Sequence, residues 1–196
     1  MVLSKRIVLA SLALLLVAGR ARAQAWGGGA TIGVVNDVEH HFRWDGFHSK
    51  DIAGYLEYEI EKKVVVRATY GQMNVKGENA GQTFTLPSGE VRTMPDLTED
   101  IKYATLGVSY EFFEGPFTSG MFAGIGGYKI EPDPVPEEIA NYRDNRETSF
   151  GWHAGVDGSW QMLKHLNLVV RLTIHGILST QGRYILSAGG GVTYRF

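Results

Sequence analysis

From residue 25 onward the chain alternates between apolar residues on one side and polar residues or glycine on the other, segment after segment. In 148–162 one face carries Phe150, Trp152, Ala154, Val156, Gly158, Trp160 and Met162. The other carries Ser149, Gly151, His153, Gly155, Asp157, Ser159 and Gln161. In 166–178 the even positions run Leu166, Leu168, Val170, Leu172, Ile174, Gly176 and Leu178, while the odd ones include Asn167, Arg171, Thr173 and His175. Successive strand side chains point to opposite faces, so a period of two predicts strands with one apolar wall. Eight such segments can be drawn, at about 25–35, 51–61, 64–76, 101–113, 117–130, 148–162, 166–178 and 184–196. Most are longer than the ~5–6 residues of an average globular strand and match the ~9–11 or more of a tilted strand crossing a bilayer.

The connections alternate too. Lys62-Lys63, Glu114-Gly115-Pro116 and Leu163-Lys164-His165 are tight turns, whereas 36–50, 77–100 and 131–147 are long and polar, and 179–183 is a shorter fourth loop. Short turns at one end and long loops at the other belong to a membrane barrel, and eight strands put both termini on the short-turn side. Aromatic residues gather at two levels. Trp26, Tyr58, Phe112, Phe117, Trp160, Tyr194 and Phe196 fall near the turns, and Phe150, Trp152 and Tyr184 nearer the loops, as interfacial girdles do. A soluble barrel with the apolar face inside would have to hide two tryptophans of 148–162 in a small lumen, which is the weaker assignment. The expected fold is therefore all-β: an eight-stranded antiparallel up-and-down transmembrane β-barrel with short periplasmic turns and longer extracellular loops.

Composition changes this picture in three places. The chain has 196 residues, 25 glycines and no cysteine, which excludes disulfides and thiolate metal sites. A mean hydropathy of −0.10 excludes a helical membrane protein but not a barrel, whose strands divide their residues between lipid and lumen. Gly27, Gly29, Gly33, Gly71, Gly107, Gly124, Gly126, Gly155, Gly189 and Gly191 fall on the inward register, leaving a narrow lumen room for a few large residues. No basic block supports nucleic-acid binding.

Residues 1–23 read as a secretory leader: Lys5 and Arg6, then an apolar stretch from Ile7 to Ala18, then Ala21-Arg22-Ala23 as a cleavage site. The apolar stretch is too short to span a bilayer. Cleavage would leave a barrel domain over 24–196 with 15 basic and 21 acidic residues, bound for the cell outer membrane.

The chain ends Gly191-Val192-Thr193-Tyr194-Arg195-Phe196, with Val192, Tyr194 and Phe196 on one face. This ending resembles the assembly signal of bacterial outer-membrane barrels. With the leader and eight strands, residues 25–196 resemble the small OmpA/OmpX/OmpW-like outer membrane protein β-barrel domain family. The resemblance implies a Gram-negative envelope, insertion by the barrel-assembly machinery after escort by periplasmic chaperones, and contact with outer-membrane lipids and lipopolysaccharide. It implies a monomer and no cofactor. No peptidoglycan-binding segment follows the barrel, so that anchoring role does not carry over.

Inside the barrel, opposite charges face one another. A turn centred on Lys164 pairs Asp157 with Arg171 and His153 with His175; one centred on Lys62 pairs Glu57 with Arg67, with Glu59 one step away. An unpartnered buried charge costs several kcal/mol, commonly ~3–5, so the first expectation is a structural salt-bridge network. The sharper alternatives are a gated proton or ion path through Asp157, His153 and His175, or a metal held by the two histidines. The first loop, with Asp37, Glu39, His40, His41, Asp45 and His48, has the donors for a divalent cation, though such runs are more often solvated loops. Phe42, Trp44 and Phe47 there suit the barrel rim, the lipid interface or a partner. Loops 77–100 and 131–147 each carry about four net negative charges.

A lipid A-modifying enzyme would need a nucleophilic serine near a histidine and an acid, and the deacylase type carries a His-x-Ser pair. Here His175 is followed by Gly176-Ile177 and His153 by Ala154-Gly155, with Ser179 at the loop edge, which departs from that pattern. The expected role is non-enzymatic, in envelope integrity or surface interaction. A narrow channel for small or hydrophobic solutes is the alternative.

Overall fold

The computed structural model describes residues 26–38, 49–76, 81, 83–93, 98–113, 115–132, 146–179 and 182–196. The leader and most of the first and third long loops lie outside these residues, including the histidines and aromatics of 39–48.

The wall consists of β1 (Trp26–Asp37), β2 (Lys50–Glu61), β3 (Val64–Lys76), β6 (Thr98–Glu111), β7 (Phe117–Pro132), β8 (Glu147–Leu163), β9 (Leu166–Ile177) and β10 (Arg183–Arg195). They close in the order β1-β10-β9-β8-β7-β6-β3-β2, every pair antiparallel. Each expected segment became a wall strand. The second long loop also holds a small hairpin the alternation did not predict, β4 (Thr83–Thr85) with β5 (Val91–Thr93).

Stepping across register partners from Gly27 leads through Glu57, Arg67, Gly107, Gly124, His153, His175 and Ile185 to Asp37. The walk returns to β1 ten residues above its start. That stagger tilts the strands by roughly 40° and fixes a lumen that side chains can fill. Curvature this tight presses inward backbones together. Gly107 faces Gly124 and Gly33 faces Gly189, and a Cβ at Gly107 would come within 2.7 Å of the Ala123 carbonyl. Lys63 completes the two-residue turn after β2 with a positive φ of 74°, a left-handed conformation that costs an L-residue.

On β3, β6 and β7 the alternation inverts along the strand. Through the middle and the turn end, apolar residues face out: Leu106, Val108 and Tyr110 on β6 and Met121 and Ile125 on β7 are exposed. Near the loop end, Ile101 is fully buried inside the barrel between outward-facing Asp100 and Lys102. Ile130 is buried between Lys129 and Glu131, and Met73 and Val75 flank Asn74. These residues belong to an apolar cluster with Val35, Tyr103, Tyr128, Ile177 and Ile185. Charge outside and hydrocarbon inside is the pattern of a wall in water, the reverse of the apolar-out wall below it.

Candidate functional site

The lumen holds three layers, each built by inward positions of several strands. The one nearest the turns contains the charges expected from the hairpin registers. Asp157 pairs with Arg171, His153 with His175 and Glu57 with Arg67 in the β-ladder. The side chains add a link between strands that are not neighbours. Arg67 donates from Nε to Glu57 at 2.6 Å and lies 3.0 Å from the Asp157 carboxylate on β8. Arg171 reaches that same oxygen only at 3.7 Å, and neither its Nε nor the amine facing Asp157 has a hydrogen-bond partner. The Arg67–Asp157 contact also lacks hydrogen-bond geometry, so both are charge contacts. Tyr55 and Phe122 flank the two guanidiniums at 4.7–5.5 Å from their ring centroids, adding cation–π attraction in a desolvated site. Glu59, one inward step nearer the turns, is half-buried and outside this set.

Above the charged layer lies a polar network of which only the His153–His175 pair was expected. Buried Asp51 accepts from the Tyr103 hydroxyl at 2.9 Å and the Ser187 hydroxyl at 2.6 Å. The rings of His153 and His175 face each other with centroids 6.1 Å apart, and His175 Nδ1 bonds the Tyr128 hydroxyl at 3.1 Å. His153 Nδ1 and His175 Nε2 have no protein partner. They border a cavity of about 30 Å³ shared with Asp51, Arg67 and Arg171, room for one or two waters that would satisfy them. A second cavity of about 20 Å³ lies on the turn side, between Glu57, Glu111, Asp157 and Arg195. Arg67 lines both, so the charged layer separates them. Among the described residues no group of three His, Asp or Glu is placed to hold a metal ion.

The third layer is the apolar cluster at the loop end. Arg183 is 2% exposed there and bonds Asp37 at 2.7 Å and Glu99. Asp37, Glu99 and Arg183 come from three strands and were not expected to meet. Their one signal in the sequence is inward parity on strands otherwise turning apolar at that level.

On the outer wall the aromatic residues stand at the two expected levels. Near the turns, Trp26 packs on Tyr58 at 4.8 Å, Tyr110 on Phe112 at 5.7 Å, and Tyr194 on Phe196 at 5.5 Å, with Phe117 beside Trp160 in register. At the loop end Trp152 meets Tyr184 at 6.2 Å, and Phe150 is exposed. Tyr70, which the sequence reading left out, is 64% exposed. Val192, Tyr194 and Phe196 share the outward face as expected, and the Phe196 amide bonds the Trp26 carbonyl at 2.9 Å.

The profile of the family "Outer membrane protein beta-barrel domain" matches residues 7–196. The chain belongs to this family. Its place is the outer membrane. Solved structures share the fold at low identity. A major outer membrane protein from Thermus thermophilus gives a TM-score of 0.61 at 16% identity, covering 89% of this chain and 100% of that one. Neisserial surface protein A gives 0.59 at 12%, covering 89% and 97%. The N-terminal β-barrel domain of Pseudomonas aeruginosa OprF gives 0.55 at 13%, covering 88% and 98%. No curated protein matches the chain at a significant level.

Proposed function

We propose that this outer-membrane barrel is a sealed, non-enzymatic envelope protein that acts through its outer wall and loops. The observation that carries this reading is the double closure of the lumen. The layer of Arg67, Arg171, Glu57, Asp157, Tyr55 and Phe122 separates two small cavities. Beyond it, Met73, Ile101, Tyr128, Ile177 and Ile185 fill the loop end with 1% exposure or less. An ion entering from that end would lose its hydration among hydrocarbon side chains, at a cost of many kcal/mol. The β1–β10 seam is paired from Gly27 to Asp37, so the wall has no lateral gap there for a hydrophobic solute.

The lumen histidines are buried beside the charged layer, where an acyl chain in the membrane does not reach them. This supports the non-enzymatic reading. The test is single-channel recording in planar bilayers, together with the same recording on a Tyr55→Ala/Phe122→Ala variant that thins the layer. The wild-type protein is expected to show no unitary conductance. Steady openings in the wild type would replace this reading with the narrow channel. Fatty acid released from lipid A by the purified protein would replace it with an enzyme.

A further inference from the structure

Three buried groups on the larger lumen cavity have needs that the protein does not meet. Asp51 is 8% exposed and accepts only from the neutral hydroxyls of Tyr103 and Ser187, with no cation paired to it among the described residues. The two guanidiniums on the same cavity, Arg67 and Arg171, already lie against Glu57 and Asp157. Three carboxylates against two guanidiniums leave this part of the lumen with one negative charge in excess, and a buried charge without a counter-charge is strongly destabilising. The other two groups are His153 and His175, with Nδ1 of the first and Nε2 of the second lacking a hydrogen-bond partner.

The two histidines are held as a pair. They are register partners on β8 and β9, with ring centroids 6.1 Å apart. The Phe122 ring lies 5.8 Å from His153, and a Cβ at Gly124 would come within 2.5 Å of that imidazole, so a bare backbone makes its place. The Tyr103 ring lies 5.2 Å from His175. His175 donates from Nδ1 to the Tyr128 oxygen at 3.1 Å, and the Tyr128 hydroxyl donates to the Trp152 carbonyl at 3.3 Å. This relay assigns the proton to Nδ1 and leaves the Nε2 lone pair free, the arrangement that orients a metal-ligating histidine. With metal–nitrogen bonds of ~2 Å, an ion nearly in line between two imidazole nitrogens sets the ring centres roughly 6 Å apart.

We propose that His153 and His175 form a two-coordinate site for a soft monovalent cation, the cuprous ion. Zinc takes four ligands, and among the described residues no third His, Asp or Glu is placed to join the pair. A cuprous ion is satisfied by two nitrogens in line, and imidazole suits copper. Its single positive charge cancels the excess that Asp51 brings to the cavity, whereas a divalent ion would overshoot it. Asp51 is the counter-charge here and the histidines are the ligands. The site does not depend on whether the lumen conducts.

Silver(I), which takes the same linear geometry and does not oxidise in air, is the probe. The protein is unfolded in urea and refolded into micelles with silver nitrate. Excess free imidazole then strips ions from surface donors such as His40, His41 and His48 of the first loop and the exposed Met121 and Met162. Native mass spectrometry counts what remains, and heat-modifiable migration checks that each variant is folded. The wild type is expected to keep one silver ion and to unfold at higher urea when loaded. His153→Gln/His175→Gln should keep at least about tenfold less, and Met121→Leu/Met162→Leu as much as the wild type. Imidazole NMR signals of the wild type give a reading that needs no variant: those of His153 and His175 should shift on loading and those of the other histidines should not. An empty wild type, equal retention by the histidine variant, or unshifted His153 and His175 signals each overturn the site. Loss of silver from the methionine variant assigns it to the outer wall and also overturns it. Equal retention of zinc overturns the two-coordinate, monovalent assignment.

Discussion

Arg171 and Asp157 are register partners on β9 and β8, yet their charged groups stop 3.7 Å apart because Arg67 approaches the same carboxylate oxygen to 3.0 Å. The ladder neighbour therefore loses to a residue from across the lumen. Asp157 serves two guanidiniums, whereas Arg171 has this shared contact and the aromatic faces of Tyr55 and Phe122.

Unequal sharing predicts unequal mutations. Asp157→Asn leaves two buried cations short of counter-charge and should lower stability by about 3–5 kcal/mol. Arg171→Met leaves Asp157 with Arg67 and should cost under about 2 kcal/mol, since an apolar chain of similar length can fill the place between the rings. Urea unfolding in micelles, followed by tryptophan fluorescence, gives the order. The reverse order would mean that Arg171 carries the layer.

A second prediction concerns the cavity rim. Tyr103→Phe removes one of two donors to buried Asp51 and should cost roughly 1–3 kcal/mol. An unchanged urea midpoint would show that another donor replaces the hydroxyl.

Two glycines separate inward crowding from outward freedom. A Cβ at Gly71 would run into the Tyr103 ring, whereas at Gly54 the nearest atom is 3.9 Å away. Gly71→Val is expected to destabilise by about 3 kcal/mol or more through overpacking, and Gly54→Ala to leave the heat-modifiable transition unchanged. Equal tolerance of both would contradict the crowding.

The turn after β2 can be improved. Lys63 holds φ at 74°, where an L-residue pays roughly 1 kcal/mol relative to glycine. Lys63→Gly should therefore raise stability by about 0.5–1 kcal/mol. A lower unfolding midpoint would show that contacts of the lysine side chain outweigh its backbone strain.

What was legible in the sequence depended on distance across the sheet. The strands and the pairs Glu57–Arg67, Asp157–Arg171 and His153–His175 followed from alternation and from tight turns acting as mirror planes. Arg67–Asp157 was not legible, because β3 and β8 meet only through the lumen. Their relative height depends on the register of every intervening pair, including β3–β6 and β7–β8, which long loops hide. Asp51 with Tyr103 and Ser187, and Arg183 with Glu99 and Asp37, were lost for the same reason. The apolar loop-end layer had a signal that went unused. Ile101 between Asp100 and Lys102, and Ile130 between Lys129 and Glu131, reverse the polarity of the strand below them. Read as a continuous membrane strand, those positions look like interruptions.

The hydrogen-bonded seam between β1 and β10 makes the wall a ring in which chain ends and turns are equivalent places. Trp26 and Phe196 already touch at the turn end, so a short linker could join them while a new opening is made in one of the long loops. Such a circularly permuted chain keeps every lumen contact but changes which hairpins form early and which strand pair must wait for the rest. The finished barrel would be the same, reached by a different order of assembly.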